Sequence, residues 1–130
     1  MGVKQEATRI HESGHNCAQS VFCACREYTG IDDAVALAVS GGFGGGVRCG
    51  EICGALSGAV MAIGSVCPFN VADDKEAKDK IAALAVECTG KFKEKYGWVR
   101  CNDLKASGAS CPEIIEFGAE LAEQIIKENK

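Results

Sequence analysis

The stretch GGFGGGVRCGEICGALSGAVMAIGSV, residues 41–66, decides the fold. Its first part is too dense in glycine to be helical throughout. Its second part, residues 51–66, reads as one helix with almost no charge, ended by Pro68. A helix that is apolar all round is buried on every side. Residues 52–72 carry no charged side chain, but Pro68 and Asn70 interrupt them, so the reading is a central buried helix and not a membrane span. Gly46, Gly50, Gly54, Gly58 and Ala62 recur every four residues and leave one face without side chains. A helix backbone or a cofactor approaches such a face closely, and the same face would allow a homodimer. No Lys-Ser/Thr follows GGFGGG and no strand precedes it, which removes a nucleotide-phosphate loop.

Working outward, the remaining segments also have helical spacing and lack alternating β-branched runs. Residues 3–13 read as a short polar helix ended near Gly14. Asn16 reads as the cap of a second helix, with Gln19 as its capping-box partner, running from Cys17 to about Tyr28 and stopped by Gly30. Asp32 or Asp33 caps a third, ending at Gly41. Asp73 and Asp74 open a long amphipathic helix with the stripe Ala77, Ile81, Leu84, Cys88, Phe92 and Tyr96, closed by Gly97. A connector from Trp98 to Cys111 leads to a last helix that opens at Pro112, with Ile115, Gly118, Leu121 or Ala122, and Ile125 facing inward. The expected fold is all-α. It is a single-domain helical bundle, residues 1–130, of five to six helices, with a glycine-rich loop before the central helix.

Composition narrows the function. The chain has 130 residues, 47% hydrophobic and 25% charged, which is the make-up of a folded globule. A net charge of -4 and 6% aromatics argue against coating or stacking on nucleic acid. The N-terminal MGVKQEATRIHESGH has no apolar signal core, so the expected compartment is a reducing, bacterial-type cytoplasm. Nine cysteines is an odd number, which forbids complete internal pairing. In a reducing compartment so many thiols point to metal ligation or redox chemistry.

Position sorts those thiols. Cys17, Cys53 and Cys111 fall at predicted helix N-termini, where unpaired N–H groups and the helix dipole stabilise a thiolate. The thiolate is both the nucleophile and the metal ligand. Cys88 lies on an apolar stripe and reads as core. Cys23 and Cys25 face different sides of one helix, and Cys67 gives no signal of its own. Cys49 belongs to the loop and is a candidate accessory thiol. Gly50 and Gly54 flank Cys53 on the bare face, where a cofactor would come close. Separately, His11-Glu12-Ser13-Gly14-His15 matches H-E-x-x-H, which on a helix would hold zinc with Glu12 activating water. Gly14 weakens that helix, and two solvated surface histidines are the alternative.

With these residues in hand, the chain resembles the family of redox-active bacterial proteins named for a C…GCAxxG…C…C pattern. The central element is Cys53-Gly54-Ala55-Leu56-Ser57-Gly58. The first cysteine falls in Gly14-His15-Asn16-Cys17-Ala18-Gln19-Ser20-Val21, and Ser40 to Gly46 supply the glycine loop. Cys101-Asn102-Asp103-Leu104 and Cys111-Pro112 supply the last two cysteines, so the likeness spans about residues 5–126. His15 departs from an expected aromatic. Cys23, Cys25, Cys49, Cys67 and Cys88 are extra to the pattern.

The resemblance implies a small helical redox protein in which Cys17, Cys53, Cys101 and Cys111 converge. Similar domains stand near transporter and oxidoreductase genes and in split-Soret cytochromes, which carry an iron–sulfur centre. This chain has no C-x-x-C-H, so covalent haem is not expected. Two chemistries stay open. The four thiolates hold an iron–sulfur cluster or soft metal ion, which the helix ends favour, or they cycle as dithiol and disulfide without a cofactor, with a low-pKa Cys53 attacking. Either way the chain is an electron carrier or thiol oxidoreductase working with a redox partner protein. A metal-storage module without turnover is the alternative from another class, and a zinc hydrolase at His11, Glu12 and His15 a minor one.

Overall fold

A computed structural model describes residues 2–129. Its element order among these residues is α1 (Val3–Glu12), α2 (Cys17–Ala24), α3 (Arg26–Thr29), α4 (Asp33–Ser40), α5 (Gly54–Val66), α6 (Lys75–Tyr96), α7 (Cys101–Ala106) and α8 (Cys111–Glu128). The fold is all-α. The count of five to six helices is corrected to eight for two local reasons. The second helix breaks at Cys25, whose backbone (φ -87, ψ 15) leaves the helical region and starts α3. The connector after Trp98 contains α7, six residues too short to show periodicity.

Helix α5 is central because its small side chains let three neighbours come close. It buries Gly54, Ala55, Leu56, Gly58, Ala59, Ala62 and Ile63, and packs on α2, α6 and α8. A Cβ on Gly58 would stand 2.7 Å from the Ala18 carbonyl oxygen of α2, and one on Gly118 of α8 would stand 3.2 Å from the Ala55 carbonyl. These helices therefore touch backbone to backbone. The bare face is used up inside the fold, so it offers nothing to a second copy. Gly46 and Gly50 do not continue that face, because they sit at φ 66 and φ 79 in a wide turn ahead of α5.

Caps explain most of the boundaries. The Asn16 side chain accepts from the Gln19 N–H at 3.0 Å, and the Gln19 side chain accepts from the Asn16 N–H at 3.0 Å, closing the capping box. Asp32 and Asp74 cap α4 and α6 through Ala34 and Ala77. Gly30 and Gly97 end α3 and α6 in the left-handed region. Helix α1 is less polar than its composition suggests, since Val3, Ala7 and Ile10 are buried. Helix α6 buries Leu84, Cys88 and Phe92, and Phe92, Tyr96 and Phe117 form a three-ring cluster with centroids 5.3–6.2 Å apart. No helix among the described residues is long and apolar enough to cross a membrane.

One surface network ties α1 to α3. Glu6 accepts from Arg9 and, at 3.0 Å, from Arg26. The Arg9 hydrogen bond is the main reason the Glu6 carboxyl is held down at about 2, against an ordinary 4.5. A depressed carboxyl adds stability that is present above 4.5 and is lost as pH falls through about 2. Glu6→Gln is therefore expected to destabilise at pH 7, with the difference from the native chain shrinking as pH falls from 4.5 towards 2. Urea midpoints across this range check this.

Candidate functional site

All four pattern cysteines begin helices. Cys17 is the first residue of α2, Cys53 is the N-cap of α5, Cys101 opens α7 and Cys111 opens α8. Two of them are stitched together by backbone. The Cys53 N–H donates to the Val99 carbonyl at 2.8 Å, and the Cys101 N–H donates to the Glu51 carbonyl at 2.6 Å. Between these bonds Ile52 and Arg100 pair as a single antiparallel bridge, and Glu51 and Arg100 close an ion pair at 2.8 Å. Cys17 reaches the same place over Gly54: a Cβ on that glycine would collide with the Cys17 sulfur. The glycine beside Cys53 is thus what lets Cys17 lie against the start of α5.

The four cysteines line one cavity of about 30 Å³, closed by Leu104, Ala109 and Ile114, with Lys105 as its one charged wall residue. Larger hollows elsewhere are open to solvent: the groove between α6 and α8 at Lys91 and Phe117 carries no thiol, and the one beside Pro68 carries only Cys67. Access to the thiols is graded. Cys53 and Cys101 are buried, Cys17 is half-buried and Cys111 is exposed. A solvent-borne reagent meets Cys111 first.

A lowered Cys53 pKa, expected from its place at a helix end, is corrected. Burial pushes this thiol up to about 11, and the neighbouring Cys17 and Cys101 add to the rise. The backbone N–H groups of Ala55 and Leu56 oppose it, as the dipole argument requires, yet the sulfur closes no cap hydrogen bond. Removing a thiolate from water outweighs two amide dipoles here. A thiol raised in this way is a poor nucleophile near neutral pH.

The other predicted residues lie apart. Cys49 is exposed in the wide turn, where its thiol donates to the Gly46 carbonyl at 3.4 Å, and it does not line the cavity. Gly50 is pressed against the Asn102 side chain and does not line it either. Cys23 donates to Asp33 at 3.4 Å, and burial raises its pKa. Burial pushes Cys25 and Cys88 up to about 12. Cys67 follows the end of α5, half-buried. The zinc reading of His11, Glu12 and His15 fails on geometry. Helix α1 stops at Glu12, Gly14 turns at φ 113, and His15 faces Ser13 at 3.2 Å, so the histidines are not one turn apart on one helix. Lys105 was not read from the sequence. It stands four residues after Cys101, and that spacing was its only signal.

The donor set suits a soft metal, but the space does not. The cavity between the four thiols is small, about 30 Å³, and holds no preformed space for an iron–sulfur core with its bridging sulfides. Among the described residues no three His, Cys, Asp or Glu side chains are grouped to hold a metal ion. A cluster would need a wider space between the four helix starts, whereas a single ion would need their sulfurs drawn closer together.

The family model described as "Putative redox-active protein (C_GCAxxG_C_C)" matches residues 15–125. The chain belongs to this family. The match takes in all four cavity cysteines and the Cys53–Gly58 element. No curated protein and no solved structure matches the chain. In this C_GCAxxG_C_C protein the two motif glycines have separate tasks: Gly54 admits the Cys17 sulfur, and Gly58 admits the α2 backbone.

Proposed function

We propose that this chain is a single-domain thiol redox protein working by dithiol–disulfide exchange through Cys17, Cys53, Cys101 and Cys111. One observation carries the reading: four cysteines from four helix starts line one small apolar cavity with a single exposed member. Cys111, as thiolate, attacks one sulfur of a disulfide acceptor, and the acceptor's other sulfur leaves as a thiolate. A second cavity cysteine, losing its proton, then attacks the Cys111 sulfur and releases the rest of the acceptor as a second thiolate. The chain gains one disulfide, the acceptor becomes two thiols, and two electrons and two protons have passed. Reduction by a dithiol partner reverses the steps. The apolar wall limits water at the buried sulfurs, and membership of a redox-active family supports the assignment.

The test is a thiol and metal count on protein purified without oxygen, before and after treatment with a small disulfide. The expected result is nine free thiols, falling by two, with no stoichiometric iron or acid-labile sulfide. Iron and sulfide in stoichiometric amounts would overturn the dithiol reading in favour of an iron–sulfur electron carrier. Tight soft-metal binding without thiol loss would favour a storage module instead.

A further inference from the structure

The outer face of α6 is built against the rule for a surface helix. Its inner face carries Leu84, Cys88 and Phe92. At 100° per residue the opposite face carries Ala82, Ala83, Val86 and Gly90 between Lys75, Glu76 and Asp79 at one end and Lys93 and Glu94 at the other. An outward face in water is normally polar along its length. Here the charges stand only at its two ends, and Val86, at its centre, is 73% exposed, more than any other large hydrophobic side chain among the described residues. Glu87 is the one charge between Lys80 and Lys91, and it is turned aside onto Lys91 at 2.9 Å.

Gly90 sharpens the anomaly. Glycine inside a helix is less stable than alanine. A Cβ on Gly90 would meet nothing within 4 Å, so the fold itself has no need of the glycine. A second helix passing close to this face would need it.

We infer that α6 is the self-association face, pairing antiparallel with α6 of a second copy about a two-fold axis at Val86. Charge complementarity sets the occupant and the register. Asp79 and Lys93 each lie seven residues from Val86, about 10.5 Å along the axis at 1.5 Å per residue, in opposite directions. An antiparallel partner therefore brings Lys93 to the level of Asp79, twice over by symmetry. Lys93 has no ion-pair partner among the described residues of its own chain, and Asp79 holds only the exposed Lys75 at 2.8 Å. The same register sets Gly90 against Ala82, where the backbones come closest, as in other small-residue helix pairs. A contact made by one helix face with a single large apolar residue at its centre gives a weak, concentration-dependent dimer.

Sedimentation equilibrium on the reduced full chain, from about ten micromolar to about one millimolar, tests this. The wild type is expected to move from monomer to dimer across the range, and Val86→Glu to stay monomeric with an unchanged circular dichroism spectrum. Asp79→Lys or Lys93→Asp alone is expected to weaken the dimer about tenfold, and the two together to restore it. Gly90→Ala is expected to weaken the dimer while raising the thermal midpoint of the monomer. A wild type that stays monomeric at the top of the range overturns the inference. So does a dimer that survives Val86→Glu, or one that the double charge exchange does not restore.

Discussion

Replacing Gly58 by alanine is expected to cost about 3 kcal/mol of stability, at the upper end of the range for overpacking a core. The added Cβ would lie 2.7 Å from the Ala18 carbonyl oxygen, 3.2 Å from the Val21 Cβ and 3.3 Å from the Phe22 N. Two of these are backbone atoms of α2, which cannot swing away as a side chain can. Gly54→Ala is expected to cost a similar amount and to do something more specific. Its Cβ would strike the Cys17 sulfur and come within 3.0 Å of the Phe43 carbonyl, so relief requires Cys17 to leave the cavity. Gly64→Ala is the control on the same helix. Its Cβ would meet only the end of Ile81 at 3.8 Å, and the gain in helix propensity should leave stability unchanged or slightly higher. Denaturant midpoints for the three variants check the order. Equal effects at all three positions would remove the close-approach account of the motif.

With Cys53 as the second thiol of the cycle, Cys53→Ser is expected to stop oxidation by a small disulfide at a mixed disulfide on Cys111, whereas Cys88→Ser leaves the cycle intact. The comparison separates chemistry from stability. Both sulfurs are buried, Cys53 at 5% and Cys88 at 0% exposure, so each serine places a hydroxyl in apolar surroundings at a similar cost of about 1–3 kcal/mol. If stability governed the outcome, Cys88→Ser would be at least as damaging. Thiol titration after stopped oxidation reads the difference, and equal loss in both variants would count against the cavity as the redox centre.

How far the sequence reached is clearest at particular residues. Asn16 with Gln19, Asp32, Gly30, Gly97 and Pro112 mark helix ends by local chemistry, and the structure places helix ends beside them. The nearly uncharged residues 51–66 mark the central helix, which starts only at Gly54 and is half-buried at Val60, Met61, Gly64, Ser65 and Val66. The break at Cys25 was not legible, since it leaves no glycine, proline or period to read, and α7 was legible only as one helical turn within the connector, with Gly108 (φ 85) just beyond its end. Helix N-termini pointed to Cys17, Cys53 and Cys111, whereas Cys101 came only from the family pattern. Its place beside Cys53 depends on backbone pairing between residues 51–53 and 99–101, a long-range contact that no local pattern encodes. The direction of the Cys53 pKa was misread for a similar reason. The helix dipole is local and visible in sequence, but the burial that outweighs it is made by α2, α7 and α8 together.

The most direct measurement is a disulfide map of the full chain. Protein reduced and then oxidised by a small disulfide would be alkylated, digested and read by mass spectrometry. The account predicts one disulfide joining Cys111 to Cys17, Cys53 or Cys101, with Cys25 and Cys88 recovered as free thiols. A disulfide formed only among Cys23, Cys25, Cys49, Cys67 and Cys88, or four cavity cysteines that stay reduced, would contradict it.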